Sequence, residues 1–451
     1  MKINTVSVMS FTEQQNEAFE CFLNGENLFV TGPGGCGKSY FIREIFKTAV
    51  ANGKNIKVTS LTGCSAILLN CKATTIHKWG YLGLGKGDEM SIYRRIVKKK
   101  QTANYIDTEI LVIDEISMLN QHLFEVLDFL CKKIRKCELP FGGIQIVASG
   151  DFFQLPPVCQ DQSDLSHSNF CFQSVLWPET FQKEFAFDVN FRQNDDPEFF
   201  NILQEIRIGA PSFDTVSSLV ECSTKTYDES NEVSKPTRIF PIKKMVDKIN
   251  QTEIQKLLAD GEPEQCEYSV SLKHSNESIS NKSVTETDVK SEVEHVTKNG
   301  VFEEKIVLCI GCQVMCIANI DQDLGLVNGS QGVVKSFVVE DGLRLPIVKF
   351  DNIENEIKVK PHNWILECNE NYSLAQIPLV LSWAITIHKS QGMSIEKAII
   401  DIGSSVFQYG QTYVALSRVK SLNGLYLTKV NAQKIRAHPE VIKFYKKLNV
   451  K

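Results

Sequence analysis

The segment that most restricts this chain is GPGGCGKS, Gly32 to Ser39, which lies between the apolar run LFVTG and the run KSYFIREIFKTAVANG. A strand that ends in glycines and reopens as a helix fits the pattern G-x-x-x-x-G-K-[ST]. Its glycines let successive backbone amides point inward at one anion, and the following helix adds its own N-terminal amides. Gly32, Pro33, Gly34, Gly35, Cys36 and Gly37 make the cradle, Lys38 brings charge to the outer phosphates of a nucleoside triphosphate, and Ser39 offers a hydroxyl to Mg2+. A chance match in a glycine-rich turn is the alternative, and the position between strand and helix argues against it.

The flanking runs agree on a fold class. Residues 11–24 read as a helix, ENLFVTG as a buried strand, and NIKVTSLT, TEILVIDEIS and GGIQIVASGDF as further strands separated by helical stretches. Strands alternating with helices predict an α/β fold, a parallel sheet with helices on both faces. Residues 80–105 interrupt the pattern with glycines and a basic segment that includes Arg94, Arg95 and Lys98 to Lys100. The pattern restarts at TRIFPIKKMVDKIN. Residues 269–297 are polar and read as a mobile loop, and 301–360 carry short strand-like runs with turn signals, a small all-β module. PLVLSWAITIH and KAIIDIG return to buried-strand character, so a second α/β domain is split by a β insert.

A phosphate loop needs a metal carboxylate and a group that handles water. ILVIDEIS supplies Asp114 for the Mg2+ shell, beside Ser39, and Glu115 to orient and polarise the attacking water. A third strand ends in SGDFFQLPPV, with Gln154 just beyond it, within reach of a γ-phosphate or its water. Two arginines, Arg192 in VNFRQND and Arg418 in YVALSRV, suit charge on a transferring phosphoryl group. Each taken singly reads as a surface residue.

Length and charge exclude some classes. A chain of 451 residues is too long for one core. No stretch is long and apolar enough for a membrane span, and MKINTVSVMS reads as neither a secretory signal nor a presequence. A net charge of −5 argues against coating nucleic acid by bulk charge and leaves room for a local basic groove. The fourteen cysteines are scattered, which fits thiols in a reducing compartment. Cys309, Cys312 and Cys316 lack a second matched ligand pair, so strand cysteines are expected there and no zinc site.

These motifs together resemble superfamily 1B DNA helicases of the petite-integration-frequency family, relatives of the bacterial RecD helicases. The likeness runs from FTEQQ near residue 11 to about residue 428, through TGPGGCGKS, TSLTGCSA, TTIHKW, VIDEISML, ASGDFFQLPPV, NFRQ, WAITIHKSQGMSIEKAIIDIG and GQTYVALSRV. EISMLNQHLFEVLDFLCKKIR resembles the family's signature helix, and IGCQVMCIAN and GLVNGSQG resemble strands of its β insert. Cys36, Cys64 and Cys312 depart from the small residues usual at their positions.

The resemblance implies two RecA-like domains. One covers 1–188 with a wedge insert at about 80–105; the other covers 189–300 and 376–451, split by an SH3-like insert at 301–375. It implies ATP and Mg2+ bound between these domains, Gln15 reading adenine, and 5′-to-3′ movement on single-stranded and forked DNA. Strand contacts are expected from Thr62, Thr75 and His77 on the first domain and from Thr386, His388, Lys389, Ser390, Gln411 and Tyr413 on the second. Phe153, Trp79, Tyr409 and Tyr413 are stacking candidates, with a core role as the alternative for each. A monomer in the nucleus or cytoplasm, or a virus-encoded protein, is the expected setting. An RNA helicase, a translocase that does not unwind, and a nucleotide-switched binding module remain the competing readings.

Overall fold

The computed structural model describes residues 11–69, 71–83, 88–157, 169–227, 233–259, 261, 263–274, 293, 304–321, 324–351, 353–365 and 372–448. The chain forms two compact units. The first takes residues up to Thr62, Leu69–Arg192 and Pro439 onward; the second takes Gly63–Leu68 and Gln193–His438.

The first unit is built on a sheet of six strands: β1 (Leu28–Thr31), β2 (Ile56–Ser60), β3 (Thr74–Thr75), β4 (Ile110–Asp114), β5 (Gln145–Ser149) and β6 (Lys183–Ala186). Their order is β3-β2-β4-β5-β1-β6, and every neighbouring pair is parallel. The central strands are almost wholly buried, which is why they read as apolar runs and do not alternate. Register aligns their C-terminal ends: Ser60 faces Asp114, Ile113 faces Ala148, and Val30 faces Ser149. The residues that follow β1, β4 and β5 therefore emerge at one edge of the sheet.

The pleat separates two cores. Leu28 and Val30 pack with Phe41, Ile42 and Ile45 of the helix Lys38–Ala51 and with Ala18 and Phe22 of the helix Glu13–Leu23. Phe29, between them, joins an aromatic cluster with Phe152, Trp177 and Phe444. Phe444 comes from the helix Pro439–Leu448, and its ring stacks on Phe172 at 4.4 Å. Residues 376–451 were expected to belong entirely to the second domain. This helix instead completes the first unit, because its aromatic face fills that core.

The described residues of 80–105 pack onto the same unit. The helix Glu89–Lys98 buries Ile92 and Ile96 and lies against the helix Gln121–Arg135. Arg95 donates to the carbonyl of Leu82 at 2.7 Å, and the buried Tyr105 hydroxyl donates to Gly80 O at 2.6 Å. Arg95, one of the cations of this basic segment, is thus engaged with backbone of the segment itself. Residues 84–87 of this segment lie outside the described residues.

The second unit holds a parallel sheet in the order Ala384–Thr386, Thr237–Phe240, Ala398–Ile402, Leu425–Val430. Its β insert is wider than 301–375. An antiparallel sheet of five strands runs from Glu356–Lys358 through Leu343–Phe350, Gln331–Glu340 and Gln313–Cys316 to Leu379–Leu381. Gln265–Ser269 pairs with Lys305–Cys309, and Ser271–His274 pairs with Tyr372–Gln376. The start of the polar stretch expected as a loop is therefore strand, while 275–292 and 294–303 lie outside the described residues. Cys309, Cys312 and Cys316 are buried in the insert's apolar core with Val314, Val334 and Val348.

Candidate active site

The glycine loop closes around its own lysine. Lys38 Nζ donates to Gly32 O at 2.6 Å and to Pro33 O at 2.9 Å. Gly37 (φ 86°) ends the loop in left-handed backbone and starts the helix Lys38–Ala51. A Cβ on Gly32 would lie 2.3 Å from Phe187 O, and one on Gly35 would lie 2.6 Å from Arg192 Cβ. Only glycine permits this approach of the 187–192 segment, which is fixed by a hydrogen bond from Phe191 N to Gly35 O at 2.9 Å. Arg192, half-buried, is therefore seated against the loop within the first unit, not in a second domain.

Gln15 is buried at the third position of its helix. Its Oε1 accepts from Thr12 N at 3.0 Å, and its Nε2 donates to Cys36 O at 3.5 Å. Gln14 Oε1 accepts from Asp188 N at 3.3 Å. The Phe191 ring, 41% exposed, sits beside Gly37, where an added Cβ would meet it at 3.2 Å and Gln15 Nε2 at 2.8 Å. Sequence reasoning passed over Phe191. Its signal was an aromatic residue directly before the arginine of NFRQ.

Asp114 ends β4 and is 5% exposed. Burial pushes its carboxyl above the ordinary carboxylate range, opposed by Ser149 and by the charge of Lys38. Glu115 follows, half-buried, at φ 54°, a left-handed conformation that a non-glycine residue adopts at a cost. Gly150 tightens the turn from the β5 side: a Cβ there would lie 2.9 Å from Ile116 N. Beside Asp114, at the ends of β2 and β5, lie the buried hydroxyls of Ser60 and Ser149; Ser149 bonds the carboxylate, and Ser60 Oγ has no hydrogen-bond partner among the described residues. A buried carboxylate flanked by hydroxyl oxygens, that of Ser60 orphaned, suits a hard cation, and it passes that test for Mg2+. Ser39 is exposed at the helix start. Gln154 lies 6% exposed in the turn after β5, its N–H donating to Asp151 O at 2.9 Å.

The expected strand contacts divide sharply. Thr62, Thr75 and His77 are half-buried, His388 is exposed, and Lys389 is half-buried. Ser390, Gln411 and Tyr413 are buried and support the fold. Ser390 Oγ donates to Ile387 O at 2.8 Å, and Gln411 Oε1 accepts from Phe407 N and Gln408 N at 3.1 and 3.2 Å. Thr386 Oγ1 accepts from Lys389 N at 3.1 Å, closing the turn that presents Lys389. Arg418 is 2% exposed, with Nε donating to Val414 O at 2.8 Å at the end of the helix Gln411–Leu416. Trp79 is a core residue that donates to Thr108 Oγ1 at 3.3 Å, and Phe153 is stacked on Tyr445. Tyr409 lies under Arg436, with the guanidinium 5.0 Å from its ring centre.

A glycine cradle, a carboxylate edge and an arginine seated against the loop define a P-loop nucleotide-binding fold. The chain belongs to the PIF1-like helicase family: that family's profile matches residues 10–215, and the profile of the DNA helicase Pif1 2B domain matches 293–337. ATP-dependent DNA helicase PIF1 of Xenopus laevis is 32% identical over 434 residues, 96% of this chain and 63% of that protein. The crystal structure of Pif1 helicase from Candida albicans shares 32% identity and a TM-score of 0.75, covering 98% of this chain and 100% of that one. Pif1 helicase from Bacteroides in complex with ADP-AlF3 and ssDNA shares 28% identity and a TM-score of 0.63, with 98% of each chain covered. The chain spans 49%, 63% and 61% of the length of three of the curated relatives it matches.

Proposed function

We propose that this chain is an ATP-driven DNA helicase that moves 5′ to 3′ on single-stranded DNA and separates duplex ahead of it. The observation that carries the reading is the meeting of sequence-remote groups in one unit: the loop 32–39, Asp114 with Glu115 at the same sheet edge, and Arg192 against Gly35. The solved relative that holds both ADP-AlF3 and ssDNA, matched along nearly the whole chain, supports the choice of substrates.

Catalysis of phosphoryl transfer rests on positioning and charge stabilisation. The amides of Gly34 to Ser39 take the phosphates, and Lys38 exchanges its loop carbonyls for phosphate oxygens. Asp114 and Ser39 would hold Mg2+, which neutralises phosphate charge when bound. Burial that disfavours the Asp114 anion alone makes a cation partner favourable there. Glu115 orients the attacking water, and Arg192 stabilises charge on the transferring group. Gln15 and Phe191 take the base, and Gln154 senses the outer phosphate. Arg418, whose Nε donates to Val414 O, is the second arginine proposed for charge on the transferring group. Thr62, Thr75, His77, His388 and Lys389 contact the strand by its phosphates and sugars.

Strand displacement on paired substrates carrying a 5′ or a 3′ single-stranded tail tests activity and polarity together. ATP-dependent opening of the 5′-tailed substrate alone is expected. Equal opening of both, or none with ATPase stimulated by RNA and not by DNA, overturns the reading.

A further inference from the structure

We infer that Tyr445 is a positioning residue for the nucleotide site, holding the base of the glycine loop and the Gln154 turn in fixed relation through one hydroxyl. The inference rests on the reading of the first unit as an ATPase.

Tyr445 lies on the helix Pro439–Leu448, the element farthest along the described chain, and is 7% exposed. Its Oη is 2.5 Å from Thr31 Oγ1, 3.2 Å from Phe152 N and 3.3 Å from Asp151 Oδ1. A phenol has one proton and two lone pairs. The Thr31 hydroxyl and the Phe152 N–H donate to Oη, and Oη donates to the Asp151 carboxylate. The hydroxyl is fully satisfied by groups from two strand ends.

Those strand ends carry the chemistry. Thr31 is the last residue of β1 and directly precedes Gly32, whose carbonyl accepts from Lys38. Asp151 opens the turn after β5. Its carboxylate accepts from Phe153 N at 3.2 Å and its carbonyl from Gln154 N at 2.9 Å. Moving Tyr445 Oη therefore shifts both the start of the cradle and the residue proposed to sense the outer phosphate.

Packing does not explain the hydroxyl. The ring stacks on Phe153 with centres 4.6 Å apart, and Phe444 beside it fills the aromatic cluster. Phenylalanine at 445 would keep those contacts and would leave the Thr31 hydroxyl, the Phe152 N–H and the Asp151 carboxylate without this partner. A hydroxyl here serves geometry, and small displacements of positioning groups are costly in rate.

The test uses the full chain with Tyr445→Phe, Thr31→Val and the double variant. For Tyr445→Phe, kcat of DNA-stimulated ATP hydrolysis is expected to fall about tenfold. Affinity for a fluorescent ADP analogue and for a single-stranded oligonucleotide should stay within about twofold. The double variant should be no slower than the slower single variant, because both remove the same link. Phe124→Leu, in the aromatic core away from the hydroxyl, should lower the melting temperature and leave kcat in place. An unchanged kcat in Tyr445→Phe, losses that multiply in the double variant, or an equal loss in Phe124→Leu would overturn the inference. If the wild-type chain hydrolyses no ATP, the reading of function fails. Amide exchange at 150–154 then still decides the role of Tyr445: faster exchange in Tyr445→Phe supports it, and unchanged exchange overturns it.

Discussion

The two motif-rich regions of this chain use their side chains in opposite ways. In the first unit, the loop 32–39 and the Asp114–Glu115 edge gather chemistry-bearing groups at one end of the sheet, with Lys38 and Glu115 half-buried and Ser39 exposed. Asp114 is buried beside the hydroxyls of Ser60 and Ser149, and Lys38 donates to carbonyls of its own loop and to Cys36 Sγ. In the second unit, Ser390, Gln411 and Arg418 are buried and bonded to nearby backbone within their own turn or helix. The first region is poised to bind a ligand with little rearrangement. The second presents its turn through residues that are themselves out of reach. A motif specifies residue types; whether a side chain touches a ligand depends on whether the backbone has already claimed it.

The comparison breaks first at Glu115. Glu115→Gln keeps the shape and removes the carboxylate, so single-turnover hydrolysis should fall by ~10²–10⁴ with ATP still bound. Near-normal turnover would give the water to another residue and make the first region less self-contained than its geometry implies.

Lys38→Ala comes next. Losing one charged donor at the phosphates should reduce kcat/KM by ~10²–10³, while affinity for a single-stranded oligonucleotide in filter binding stays near wild type. Equal loss of both would mean that loop and strand contacts are one site and that the division between regions is false.

Gln411 and Lys389 sharpen the second half of the comparison. Gln411→Ala leaves the amides of Phe407 and Gln408 without their acceptor and should cost about 1–3 kcal/mol in denaturant unfolding. Lys389→Ala should leave stability unchanged, weaken strand binding, and lower the slope of log affinity against log salt by about one. The reverse pattern would place the strand contact at Gln411.

How much of this was legible follows from the same distinction. The glycine loop, the acidic strand end and both parallel sheets could be read because each depends on a short continuous stretch of sequence. The seat of Arg192 against Gly35 could not be read, because it depends on β6 lying beside β1, which is a property of sheet order. VIKFYKKL shows an apolar helical face at Val441, Phe444 and Tyr445. Nothing within it says that this face closes the aromatic core of the first unit. The β insert was recognised by its turns and misjudged in extent, because strands such as Gln265–Ser269 find their partners across the polar stretch.

The smallest expected effect concerns residues 80–105, proposed as the wedge that splits duplex. Deleting the segment would remove Ile92, Ile96 and Tyr105 from the core and release the bond from Arg95 to Leu82 O, so loss of folding would mask any loss of unwinding. The exposed cations allow a finer cut. Arg94, Lys98, Lys99 and Lys100 stand on the outer face or at the end of the helix Glu89–Lys98, while Ile92 and Ile96 face inward. Changing these four to alanine leaves the packing intact and removes only charge that could meet phosphates at a junction. DNA-stimulated ATPase and the melting temperature should match wild type. Strand displacement should slow by about threefold to tenfold, with the deficit shrinking as salt rises and screens the wild-type charges. Displacement as fast as wild type at low salt would reduce the segment to a packed surface helix, with its charges merely solvated. The wedge would then have to be sought in another part of the chain.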